Sequence, residues 1–128
     1  MINYIQILNR SIKINDDLII NKTFENYIDG LLINDLSTYQ GRLNAIRKKY
    51  GFKKLIPIYI NDLLCLFPLE NKRSINNIYI NVNAVKFVDE DGCLYFYDNS
   101  LIKSNKKGKT INKYIKRAKT IKKSKVII

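Results

Sequence analysis

The chain has 128 residues, 46% of them apolar, with a formal net charge of +12 and no histidine. This is enough chain for one domain with a real core and too apolar for global disorder, and no apolar run approaches the ~20 residues that span a bilayer. Two cysteines, Cys65 and Cys93, cannot complete a tetrahedral zinc site without histidine, so no metal or cofactor is expected, and nucleophile–histidine catalysis has no histidine to use.

Residues 3–8 and 17–20 are short, Ile-rich and partly alternating, and are expected to be strands. Thr23 can cap a helix over 24–33, where Phe24, Tyr27, Ile28, Leu31 and Leu32 recur at helical spacing. A clearer helix covers 38–50. Its apolar stripe is Tyr39, Leu43, Ile46 and Tyr50, its cap Ser37 or Thr38, and its terminator Gly51 in a left-handed conformation. The chain then turns β-rich. Strands are expected at 55–60, with Pro57 favouring an edge, and at 63–67, 78–80, 84–88, 93–97 and 101–103. A helix over 109–123 closes the chain, with Ile111, Tyr114, Ile115, Ala118 and Ile121 on its apolar side. These elements predict a single α+β domain over 1–128, a mainly antiparallel sheet packed by two or three helices. Both cysteines sit among apolar neighbours and are expected as buried, reduced thiols.

Charge is distributed in blocks. Residues 1–34 carry net −1, 35–54 net +5, 55–102 net −3, and 103–128 net +11 with no acid at all. Uncompensated cations on one helix repel each other at i,i+4 spacing, which an anionic partner would relieve. Lysine and arginine neutralise phosphates and release counterions. A narrow A/T minor groove attracts both. The expected DNA-contacting residues are Arg42, Arg47, Lys48, Lys49, Lys53 and Lys54 on one helix and its exit. Lys72 and Arg73 on the loop after Phe67-Pro68 join them, as do Lys113, Lys116, Arg117 and Lys119 on the last helix. The alternative for each cluster is a solvated face, and for Arg42 a buried ion pair.

Several segments resemble one family in order and spacing. They are IINKT at 19–23, STYQGR at 37–42, KKLIPIYIND at 53–62, CLFP at 65–68, IYIN at 78–81 and DEDGCLYFYDNSLIKS at 89–104. Over roughly residues 17–121 the chain is similar to the competence transcription factor (ComK) family. Leu69 and Tyr79 depart from the Thr or Ser and the Trp common there. The resemblance implies an activator of transcription that binds A/T-rich promoter DNA, largely through the minor groove, as a homo-oligomer. It also implies an adaptor that delivers the protein to proteolysis. The compartment expected, from an N-terminus without a signal-peptide pattern, is the bacterial cytoplasm, at the nucleoid when bound. Arg42 matches a motif position, as do Tyr39, Gly41, Pro57, Phe67 and Pro68, which are read first as core and turn residues.

Other chemistries are weaker. Gly108-Lys109-Thr110 lacks the earlier glycine of a phosphate-binding loop, because Lys103 stands there. Asp62 followed by Glu70 and Lys72 has the composition of a metal-dependent nuclease site, but falls on a turn and a loop. A basic module for RNA or anionic surfaces would rest on the last helix alone, whose apolar stripe is narrow and lacks Trp or Phe for membrane insertion.

Overall fold

A computed structural model describes residues 1–70 and 76–124. The described residues form nine strands and three α-helices, in chain order β1 (Tyr4–Ile7), β2 (Ile12–Ile14), β3 (Leu18–Ile20), α1 (Phe24–Leu32), α2 (Tyr39–Tyr50), β4 (Ile58–Asn61), β5 (Leu64–Pro68), β6 (Ile78–Asn81), β7 (Val85–Val88), β8 (Cys93–Phe96), β9 (Leu101–Lys103) and α3 (Gly108–Ser124). A six-stranded antiparallel sheet runs in the order β3-β2-β1-β6-β5-β4, and a three-stranded antiparallel sheet in the order β7-β8-β9. The α+β expectation holds.

Cross-strand register shows which helix covers which face, because directly paired residues point the same way. Ile5 pairs with Tyr79, and Tyr79 with Pro68. This face meets α1 and α2: Phe24 stacks on Tyr79 at 4.1 Å and meets Tyr39 edge-on at 5.5 Å. Tyr4 pairs with Ile80, and Ile80 with Phe67, on the opposite face. There Tyr4 stacks on Phe96 at 6.1 Å, Phe67 meets Tyr114 at 6.5 Å, and the Cys65 thiol donates to Ala118 O at 3.6 Å. The result is three layers: α1 and α2, the large sheet, then α3 beside the small sheet.

The helix signals operate as expected. Thr23 Oγ1 accepts from Asn26 N–H and Thr38 Oγ1 from Gly41 N–H, and Gly51 ends α2 at φ 71°. Strand β2 is an addition: it is only three residues long, between turns in which Arg10 and Asn15 take φ 62° and 55°. Strand β4 begins at Ile58 rather than Leu55, because Leu55 has φ 53°, outside the extended region. Pro57 leads directly into it, and β4 is an edge of the large sheet. Both cysteines are free and buried.

Burial makes this fold sensitive to alkali. Desolvation pushes the Cys65 thiol up to about 12 from an ordinary 9.0. It pushes the Tyr79 phenol upward as well, with the neighbouring Tyr39 adding to the shift. The folded state retains protons that the unfolded chain releases. Stability is therefore complete below the unfolded values and is lost as pH rises toward the folded ones, by up to about 1.4 kcal/mol per pH unit per group. Urea midpoints measured upward from about pH 8 should drop steeply beyond about pH 9, and Cys65→Ala should soften the first part of that drop. A midpoint flat to about pH 11 would show that these groups titrate normally in the folded protein.

Candidate nucleic-acid interface

Arg42 requires a correction. It is fully buried, not part of a DNA-contacting surface. Its Nη1 donates to Tyr59 O at 2.6 Å and Ile60 O at 3.3 Å, its Nε to Ser37 Oγ at 3.3 Å, and its Nη2 to Asp35 Oδ2 at 3.2 Å. Tyr59 and Ile60 belong to the edge strand β4, so the guanidinium occupies main-chain acceptors that an edge leaves unpaired. The ion pair with half-exposed Asp35 keeps this buried charge compensated. The site is a structural clamp between α2 and the sheet.

The remaining cations of the first block surround the end of α2. Lys48, Lys49, Lys53 and Lys54 are exposed, and Arg47 is half-buried with Nη1 donating to Asn44 Oδ1. Lysines and arginine in the last turn suit the negative end of the helix dipole. Beyond them the chain passes around the β4 edge and meets α3. Tyr50 stacks on Phe52 at 5.5 Å, and the Arg117 guanidinium carbon lies 4.1 Å above the Phe52 ring. Arg117 Nη1 also donates to Lys54 O at 3.5 Å, and the Tyr50 and Ser124 hydroxyls are hydrogen-bonded. A column of two rings and a guanidinium thus brings the end of the first basic block against α3, with Lys49 Nζ 5.6 Å from the Tyr50 ring centre. Cation–π contacts of this kind contribute about 0.5–2 kcal/mol.

Helical spacing divides the α3 cations between flanks. Lys113 lies one turn before Arg117 on the same ridge, with exposed Lys116 beside it on the outer surface. Lys119 is about 200° around the helix from Arg117, on the other flank, where it lines a shallow groove with Ile115 and Lys116. Lys122 is held by Asn83. The start of α3 is different electrostatically. Gly92 and Gly108 let the Asp89-Glu90-Asp91 turn press against it: a Cβ on Gly92 would lie 1.7 Å from Lys106 O, and one on Gly108 2.0 Å from Asp89 O. An acidic turn therefore packs its main chain against the start of α3, near Lys106, Lys107 and Lys109, and Lys106 pairs with Glu70 at 3.5 Å. The uncompensated charge lies toward the second half of α3, since no acid follows Asp98.

Of the expected contact residues, Lys49, Lys54 and Arg117 meet at the aromatic column, with exposed Lys53 beside Lys54. Lys113 shares the Arg117 ridge, Lys116 lies between the two flanks of α3, and Lys48 and Arg47 continue around the end of α2, Arg47 about 200° from Lys49. Lys119 stands on the outer flank, and Lys72 and Arg73 lie outside the described residues. Of the two rings that organise the junction, Tyr50 is the last residue of the expected apolar stripe of α2, whereas Phe52 carries no signal in the sequence. The nuclease pattern is not assembled: Asp62 lies before β5 and accepts from Tyr59 Oη at 2.7 Å, whereas Glu70 follows the far end of that strand. A five-residue strand separates them by roughly 17 Å or more. Among the described residues no group of three or more His, Cys, Asp or Glu side chains could hold a metal ion. No helix among them is long and apolar enough to cross a membrane.

This geometry defines a small basic α+β protein whose two basic segments meet beside a guarded sheet edge. A family model described as ComK protein matches residues 3–124. The chain belongs to the ComK family, a family of competence transcription factors and not of enzymes. No curated protein and no solved structure matches the chain.

Proposed function

We propose that this protein is a DNA-binding activator of transcription that grips A/T-rich duplex DNA with the cationic face formed where its two basic segments meet. Arg47, Lys48, Lys49, Lys53, Lys54, Lys113, Lys116 and Arg117 are the principal contacts, Lys119 lies at the margin, and Lys72 and Arg73 are further candidates. The observation that carries the reading is the Tyr50–Phe52–Arg117 column, which holds two acid-poor segments side by side. Such a surface presents several cations to consecutive phosphates. The narrow A/T minor groove, with its more negative potential, is the stretch of duplex that attracts them most. The protein acts in the cytoplasm as a homo-oligomer, and a proteolytic adaptor is its proposed regulator.

Gel shifts at physiological salt with A/T-rich duplex, G/C-rich duplex and RNA of equal length test the proposal. The A/T-rich duplex should bind at least about tenfold tighter than the other two. Equal, weak binding to all three would reduce the face to a general polyanion surface, and tighter binding to RNA would replace DNA as the target.

A further inference from the structure

The two edges of the large sheet are treated differently. At β4, Arg42 occupies the carbonyls of Tyr59 and Ile60. At β3 the main-chain hydrogen-bond alternation leaves one residue facing outward. Asn15 N–H donates to Tyr4 O at 3.0 Å, so Lys13 and Asn15 direct their main-chain groups toward β1. Ile12 and Ile14 then bond β3 through their partners Ile20 and Leu18. The N–H and C=O of Ile19 consequently point away from the sheet, without a partner among the described residues. Leu18 and Ile19 are each 51% exposed. Edge strands are ordinarily blunted by charged side chains, proline or a bulge, and the sequence Leu-Ile-Ile of β3 contains none of these.

The flanking charges point to the occupant. Exposed Asp16 and Asp17 precede β3, and exposed Lys22 follows it. An antiparallel copy of the same strand brings each acidic end beside the other's lysine. It also keeps the cationic faces apart, because these lie at the β4 edge, five strand spacings away, or about 24 Å. For a protein of net charge +12 that separation matters. The β9 edge is a poorer self-partner: it carries Lys103 and leads into Lys106 and Lys107, so two copies would repel there.

We propose that β3 pairs antiparallel with β3 of a second copy about a twofold axis at Ile19, joining two large sheets into one. Ile19 N–H and C=O exchange hydrogen bonds with the same groups of the partner, and Leu18 packs beside the partner's Ile20. The pairing names the surface of the homo-oligomer in the proposed function and rests on that reading for its role on DNA. Three-residue strands bury well under the ~1,000 Å² of a durable interface, so the free dimer is weak. Binding both copies to one duplex raises their effective concentration to about the millimolar range and stabilises the pair.

Cysteine cross-linking of DNA-free protein in a glutathione redox buffer tests the pairing. Paired residues at the twofold have Cα atoms about 5.5 Å apart, within disulfide reach. Ile19→Cys should form a covalent dimer. Lys13→Cys, about 14 Å from its symmetry mate across three strand spacings, should not. Neither should the unaltered protein, whose thiols are buried. In the Ile19→Cys background, Asp16→Lys with Asp17→Lys should slow cross-linking about tenfold. Adding Lys22→Asp should restore it. Cross-linking of Ile19→Cys no faster than Lys13→Cys, or no restoration by the charge swap, would overturn the pairing. A variant that stays monomeric yet still prefers A/T-rich duplex sinks the dimer alone, whereas efficient cross-linking without DNA binding sinks the proposed function alone.

Discussion

Replacing Lys113, Lys116 and Arg117 together with alanine should weaken duplex binding on the order of a hundredfold at physiological salt. The estimate follows from counterion release. Each lost phosphate contact removes about 0.9 from the slope of log affinity against log salt, a factor of roughly five at 0.15 M. Three contacts multiply to about a hundredfold and flatten the slope by nearly three. Replacing Lys49, Lys53 and Lys54 should have an effect of the same size, although that segment is far away in sequence, because the Arg117–Phe52 contact places both on one face. Lys106→Ala with Lys107→Ala should change affinity much less, since the acidic Asp89-Glu90-Asp91 turn packs against that end of α3. Fluorescence anisotropy across a salt series measures all three. If the Lys106 and Lys107 variant lost as much affinity as the others, the binding charge would be spread over the molecule and not concentrated in this face.

Arg42→Met should destabilise the fold by about 3 kcal/mol while leaving the DNA affinity of the folded protein unchanged. The side chain is fully buried and makes four hydrogen bonds, two of them to main-chain carbonyls of β4. Methionine fills much of the volume but strands those carbonyls away from water. The loss corresponds to a fall in Tm on the order of 10 °C for a domain of this size. Arg42→Lys keeps the charge but cannot reproduce the forked donors, so it should recover only part of the stability. Thermal unfolding followed by circular dichroism, with anisotropy on the same samples, separates the two roles. Unchanged Tm with lost affinity would return Arg42 to the DNA surface.

How far the sequence could be read depends on how local each feature is. The helices were legible because their evidence lies within a few residues: Thr23 and Thr38 as caps, Gly51 as terminator, and stripes at helical spacing. The signal for Arg42 was present as well. It stands three residues after Tyr39 and four before Ile46, inside the buried stripe, so its position marked it as interior even though its type suggested surface. Strand β2 escaped because three residues with a lysine in the middle give almost no periodicity. Asn81 escaped too. Its side chain is fully buried, accepting from Cys65 N–H and donating to Ile2 O and Leu63 O, partners scattered along the chain. The joining of the basic blocks is the extreme case. Lys54 and Arg117 are 63 residues apart, and only the passage of the chain around the β4 edge makes them neighbours.

The central claim is that these two basic segments contact one duplex at the same time. Titration of labelled protein with a short A/T-rich duplex, followed by amide resonances, tests it most directly. The account predicts that residues 47–54 and 113–119 shift together at a single stoichiometry, while the Asp89–Asp91 turn stays still. Shifts confined to one segment, or appearing in the two at different duplex ratios, would contradict it.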